Sequence, residues 1–476
     1  MGIVCKNHVF TLQTKHSAYQ MKEEGGFLFH NYYGPVIGDM DMSYLVRPLD
    51  RGFSGQPQEI VDRGFSLDTR LLEYPSYGTG DYRDYCLHAA YEDGSQVTDL
   101  RFVSYEIKEG KYALEGLPAM YQGEEKAETL EITLEDKYKN LQVVLYYGVF
   151  ENLDVITRAC KIVNKGEYKV RLLRAYSMAL DSDHKELDFL HFYGRHAMER
   201  KMERSSLQHG FQGVESRRGY SSHQQNPFAV LCKPDATEEY GWCYGASFVY
   251  SGNFSIQAEV SQADTTRLTV GIQDTQFEFH LEPGECFTAP EVILSFSDKG
   301  LGQLSRNYHK AIRNNVCRGK YKTARRPVLI NNWEATYFDF TPEKLVAIAK
   351  DAKELGIEML VMDDGWFGKR DSDFSGLGDW FVNEKKLKGG LKNLVEEVNK
   401  TGMKFGIWFE PEMISEDSDL YRAHPDWALT IPGRPFSRAR HQLVLDFSRE
   451  DVRTYIFDRM CEILESANIE YVKWDA

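Results

Sequence analysis

The chain has 476 residues, 42% hydrophobic and 27% charged, with a formal net charge of −15. That length allows two or three domains with a sizeable core. The acidic balance disfavours nucleic acid and anionic membrane surfaces as partners, since both select clustered Lys and Arg, and it fits an enzyme acting on a neutral substrate.

No apolar run approaches the roughly 18 residues of a membrane span. The start, MGIVCKNHVFTLQTKHS, has no apolar signal core, and Lys6 breaks the myristoylation pattern. Eight cysteines are scattered singly without a C-x-x-C pair. Structural zinc is therefore not expected, and a reduced, cytoplasmic protein is. Nothing calls for a metal or a cofactor. The 13% aromatic share suits sugar stacking, but core filling is its commoner use.

Strand signals dominate the first 300 residues. The stretch 129–164 is rich in β-branched and aromatic residues, alternates apolar with polar, and is broken at Lys-Asn and Glu-Asn-Leu-Asp. The stretch 267–287 repeats the pattern. Many strands with short turns and few helices predict a large antiparallel β-sandwich over 1–300. A helical pattern at 301–317 then serves as a linker, 301–326.

Strand and helix alternate from 327 to 476. Strands are expected at 327–333, 357–366, 403–412, 442–447 and 469–475. Helices are expected at 341–356, with Thr341 as cap and Pro342 in the first turn, at 390–402, and at 448–468 with Ser448 as cap. Such alternation predicts a parallel sheet covered by helices. No G-x-G-x-x-G follows the first strand, which argues against a dinucleotide fold. Acids and tryptophans instead gather where the strands end, as a (β/α)8 barrel mouth requires. Eight strands and roughly 250 residues make such a barrel. Only four or five strands are present, so the sequence is expected to be truncated inside the barrel.

Three strand ends and one strand entry carry the candidate residues. In Lys473-Trp474-Asp475, alternation puts Lys473 and Asp475 on one face, where an ammonium keeps a carboxylate ionised for nucleophilic attack. A plain ion pair is the blander reading of that triplet. Asp363 and Asp364 could accept hydrogen bonds from hydroxyls, with a helix-entry turn as the alternative. Metal binding there is the weaker reading, since no His is close. Trp408, Glu410 and Glu412 share a face by parity, suited to stacking a sugar ring and accepting its hydroxyls, although Pro411 interrupts the strand; a buried Trp with a helix-capping Glu is the blander reading. Arg440 could hold a nucleophile or a hydroxyl through its forked donors. His441 reads as structural.

The runs NNWEATYFDF, LVMDDGWFGKRDSDFSGLGDW, GMKFGIWFEPEMIS, ARHQLVLDFS and YVKWD, with FSLDTRLLEYPSYGTGDYR and ESRRGYSSHQQNPFAVL earlier, closely resemble the α-galactosidases of glycoside hydrolase family thirty-six. The resemblance spans nearly the whole chain. It implies an N-terminal β-supersandwich, a (β/α)8 barrel and a small C-terminal β domain. It also implies retaining hydrolysis of terminal α-1,6-linked galactose from melibiose, raffinose and related sugars.

Matched residue by residue, Asp475 falls on the nucleophile, and Asp363 and Asp364 on the acids holding the 4- and 6-hydroxyls. Trp333, Trp408, Arg440 and Lys473 fall on subsite residues. The family's nucleophile ends the fourth barrel strand, which makes QLVLDF an excursion. Its acid/base is an Asp on a later strand, absent here, so this fragment is expected to be inactive. The resemblance further implies a homotetramer, in which the loop GTGDYRD (78–84) is a candidate to line a neighbour's site. Rival readings are galactosyl transfer of the raffinose-synthase kind, an α-N-acetylgalactosaminidase on the same scaffold, or a non-catalytic galactoside-binding protein.

Overall fold

A computed structural model describes residues 2–46, 49, 55–62 and 64–475. The chain divides into two compact units, Met1–Thr323 and Ala324–Ala476.

The first unit is built from antiparallel sheets. Strands Gly2–Lys6, Val9–Gln13, Ser17–Glu24 and Phe27–Pro35 form a four-stranded meander. A ten-stranded and a six-stranded sheet follow, and one apolar cluster draws on all three sheets. The stretch 129–164 shows why. It lies within three successive strands, Ala127–Asp136, Leu141–Phe150 and Val155–Asn164, broken where expected. Leu130, Ile132 and Leu134 of the first, and Leu141, Val143 and Leu145 of the second, point into the core at every other position. The first connection closes with Asn140 at φ 52°, and the Asp136 carboxylate accepts from the Tyr138 and Lys139 amides. The loop 78–84 is pinned by charge, because Arg83 and Arg267 both grip the buried Asp81 while Tyr82 projects into solvent.

The segment expected as a linker, 301–326, belongs to the first unit for most of its length. Its helix, Gly300–Asn315, buries Leu304, Tyr308 and Ala311. Tyr308 donates to the Ile293 carbonyl at 2.9 Å, and Asn307 to the Ser295 hydroxyl at 3.1 Å. An apolar stripe with polar anchors seats the helix on the sheet.

The second unit holds a parallel sheet of four strands in chain order: Leu329–Asn331, Met359–Met362, Lys404–Phe409 and Tyr471–Trp474. Helices lie between successive strands. The helix Pro342–Glu354 starts at Thr341, whose hydroxyl accepts from the Lys344 amide, and Gly356 follows it at φ 84°. The helix Gly390–Lys400 buries Leu391, Leu394, Val395 and Val398, a single stripe.

Three expectations are corrected. QLVLDF contributes only Leu443–Val444, paired antiparallel with Met413–Ile414 away from the parallel sheet. Tyr471–Trp474 is therefore the fourth strand of that sheet, as the reading of QLVLDF as an excursion expects. Trp333 does not lie on a strand; its amide is taken by the Asn331 side chain, and it opens the helical turn Trp333–Thr336. Ser448 does not cap the helix Glu450–Glu465, because its hydroxyl donates to Asp446. No helix among the described residues is long and apolar enough to cross a membrane.

Candidate active site

Parallel register decides which side chains meet. Asn331 pairs with Val361, Val361 with Gly406, and Gly406 with Tyr471. Two residues further along each strand, on the same face, stand Asp363, Trp408 and Lys473. Two further on again come Glu410 and Asp475. One face of the sheet's C-terminal edge thus carries three carboxylates, an ammonium and an indole.

Their contacts are specific. Lys473 Nζ donates to Asp363 Oδ2 at 2.8 Å and lies 3.6 Å from Asp475 Oδ2. Trp408 Nε1 donates to Asp475 Oδ2 at 2.9 Å, and the Asp475 amide donates to the Phe409 carbonyl at 2.8 Å. Asn331 Nδ2 donates to Asp363 Oδ2 at 2.5 Å, and the Asp364 amide to Asp363 Oδ1 at 2.9 Å. Asp363 is buried, whereas Lys473 and Asp475 keep 35% and 37% of their side-chain surface exposed. The nucleophile candidate is therefore reachable, and the acid beneath it is not freely solvated. Burial pulls the Lys473 ammonium down, but the hydrogen bond and charge of Asp363, with Asp475 beside it, raise it above the usual lysine value. It stays charged.

Asp364 faces away from this group. It is buried, and Arg370 Nε and Nη2 reach its carboxylate at 2.8–3.1 Å. Burial nevertheless raises its carboxyl above the usual range, with Arg370 opposing. Adjacent acids pointing to different partners is what strand alternation predicts. A carboxylate has about four acceptor positions, so the fork does not exhaust Asp364.

Trp408 is buried, and its ring stacks on Phe367 at 6.0 Å with 12° between planes. The expected free stacking face is thus occupied by core, and what Trp408 offers the site is its N–H. Trp333 is half-buried and packs edge-on against Tyr337 and Phe338. Arg440 keeps 62% of its side chain exposed and approaches Glu410 at 3.3 Å. Glu412 accepts from Trp474 Nε1 at 2.9 Å, on the face opposite Lys473.

Sequence reasoning missed Asn331, Arg370 and Gln442. Asn331 precedes Trp333 by two residues at a strand end, a position whose parity with Asp363 was available. Arg370 and Gln442 come from loops, where no periodicity fixes direction.

The arrangement offers a half-exposed carboxyl group, Asp475, contacted by an indole N–H and a neighbouring ammonium, next to a buried acceptor. That suits nucleophilic attack on a polyhydroxylated substrate. Residues 26–282 match the family model "Glycosyl hydrolase family 36 N-terminal domain", and residues 286–476 match "Melibiase". A bifunctional α-galactosidase/sucrose kinase of Mediterraneibacter gnavus is 54% identical over 98% of this chain and 50% of its own length. A family 36 α-galactosidase structure from Geobacillus stearothermophilus superposes with a TM-score of 0.97 at 49% identity, covering 100% of this chain and 66% of that one. A variant of a second Geobacillus stearothermophilus α-galactosidase, solved with raffinose, gives 0.96 at 49%, covering 98% and 65%. The chain thus spans half to about two thirds of the length of these relatives. With a family model matching more than half of its residues and the paired acids standing at the parallel strand ends, the chain belongs to glycosyl hydrolase family 36.

Proposed function

We propose that these residues carry the nucleophile and galactose-binding face of a retaining α-galactosidase acting on terminal α-1,6-linked galactose, as in melibiose and raffinose. The observation that carries the reading is Lys473 between Asp363 and Asp475, 2.8 and 3.6 Å away. The relatives' names and the raffinose held by one of them support the substrate class. The four parallel strands are read as the first half of a (β/α)8 barrel, whose active site forms at the C-terminal ends of its strands.

In this reading Asp475 attacks the anomeric carbon while the glycosidic oxygen takes a proton from a second carboxyl. Retaining enzymes set the two about 5–5.5 Å apart. The resemblance puts that acid/base on a strand later than these four. Water then attacks the galactosyl ester with the same carboxyl as base. Asp363 accepts from the sugar hydroxyls and Asp364 assists. A sugar lacking the matching hydroxyl leaves a buried acceptor unpaired, which penalises it. Trp333 and Arg440 line the approach.

The test is Asp475→Asn in the complete enzyme, assayed on an aryl α-galactoside. Turnover should fall at least about 10⁴-fold with binding kept. Retained activity, or an inverted first-formed sugar, would sink the reading.

A further inference from the structure

Glu410 follows the strand Lys404–Phe409 and is completely buried. A buried carboxylate needs partners, or it destabilises the fold. Gln442 Nε2 donates to Oε2 at 3.1 Å, and Arg440 Nη2 lies 3.3 and 3.4 Å from the two oxygens. Both partners come from a single tight turn.

In that turn the Gln442 amide donates to the Ala439 carbonyl at 2.9 Å, and the Ala439 amide to the Gln442 carbonyl at 3.3 Å. Between them, Arg440 and His441 have φ of 47° and 64°. Positive φ at both central positions is the type I′ pattern, which normally takes Asn-Gly or Gly-Gly. Arg and His there cost roughly 1 kcal/mol or more each, and such strain persists only where the surroundings over-determine it. His441 packs on Phe374 at 4.4 Å. The charged end of the turn is left to Glu410.

We infer that Glu410 is a positioning residue: by accepting from Arg440 and Gln442 together it holds the strained 439–442 turn and fixes the direction of the Arg440 guanidinium. This rests on Arg440 being a substrate contact, as read above. Arg440 has five N–H donors, and Glu410 engages it through one nitrogen, so the outer donors remain for a ligand hydroxyl. Glu410 is also near enough to Asp475 to feel its charge, which ties the turn to the nucleophile's surroundings.

The experiment compares Glu410→Gln, Arg440→Ala and the double variant in the complete enzyme. Losing one charge-assisted hydrogen bond predicts a KM for an aryl α-galactoside about tenfold higher in Glu410→Gln, with kcat within about twofold. Arg440→Ala should match it, and the double variant should be no worse than Arg440→Ala. An unchanged KM, or additive losses, would overturn the inference. Hydrogen exchange at the Gln442 amide gives a substrate-free readout. It should be about tenfold faster in Glu410→Gln, and an unchanged rate overturns the inference by itself. If the parent enzyme turns over no α-galactoside, the functional reading fails, while exchange still decides what Glu410 holds.

Discussion

Trp408 Nε1 and Lys473 Nζ converge on the same oxygen of Asp475, at 2.9 and 3.6 Å, although 67 residues separate Trp408 from Asp475 in the chain. Trp408 and Lys473 are direct neighbours in parallel register. Register, not sequence proximity, therefore assembles the group around the nucleophile candidate. The two contacts differ in kind: the indole, fixed by core packing, donates a hydrogen bond, and the ammonium, whose hydrogen bond goes to Asp363, acts on Asp475 through its charge.

Replacing Lys473 by Met removes the charge between two carboxylates. Kinetics on the complete enzyme should show kcat/KM reduced by about 10²-fold or more, since a hydrogen bond to a charged group contributes roughly 1.5–3 kcal/mol, Asp363 loses one and Asp475 loses its ion pair. The acid limb of the pH–rate profile should move to higher pH, as expected when like charges share a site without a cation. A variant with unaltered kinetics would show that Lys473 is only a strand-end ion pair.

Trp408→Phe deletes the N–H and keeps an aromatic ring against Phe367. The lost donor predicts a kcat about 10- to 100-fold lower. Unfolding free energy should drop by only about 1–2 kcal/mol, because most of the apolar volume stays. Measuring both separates the two roles, and a stability loss without a rate loss would make Trp408 purely structural.

Arg370→Met should act mainly on the fold. The guanidinium is fully buried and forks onto the buried Asp364. Removing one partner of such a pair costs about 3–5 kcal/mol, because the other charge is stranded. Denaturant unfolding should register that loss, and adding Asp364→Asn should recover part of it. Full stability in the single variant would refute the coupling.

Much of this was legible beforehand. Alternation in 129–164 foretold three strands and both breaks. Parity foretold that Lys473 faces Asp475 and that Trp474 turns away, where it meets Glu412. Period-two patterns encode direction, so strand ends are readable. Trp333 was misread as strand because its amide is captured by the Asn331 side chain, a local hydrogen bond that no periodicity reports. Arg370 and Gln442 were invisible for the same reason, since loop side chains find partners set by tertiary placement. For Trp408, parity leaves sugar stacking and burial both open, and the packed core decides for burial by covering its face with Phe367.

The last prediction concerns pH. Burial raises the Glu410 carboxyl from its ordinary 4.5 to about 7, Arg440 opposing, Asp475 adding, and Arg370 and Gln442 opposing further. Between those two values the folded chain holds a proton here that the unfolded chain has released. This group's contribution to stability is therefore full below about 4.5 and is lost as pH rises to about 7. Its grip on Arg440 runs the other way, because only the ionised carboxylate pairs with the guanidinium. KM for an α-galactoside should accordingly fall as pH rises through 7, and Glu410→Gln should flatten that dependence at the higher, low-pH value. A KM independent of pH in the parent enzyme would mean that Arg440 is held by something other than the charge on Glu410.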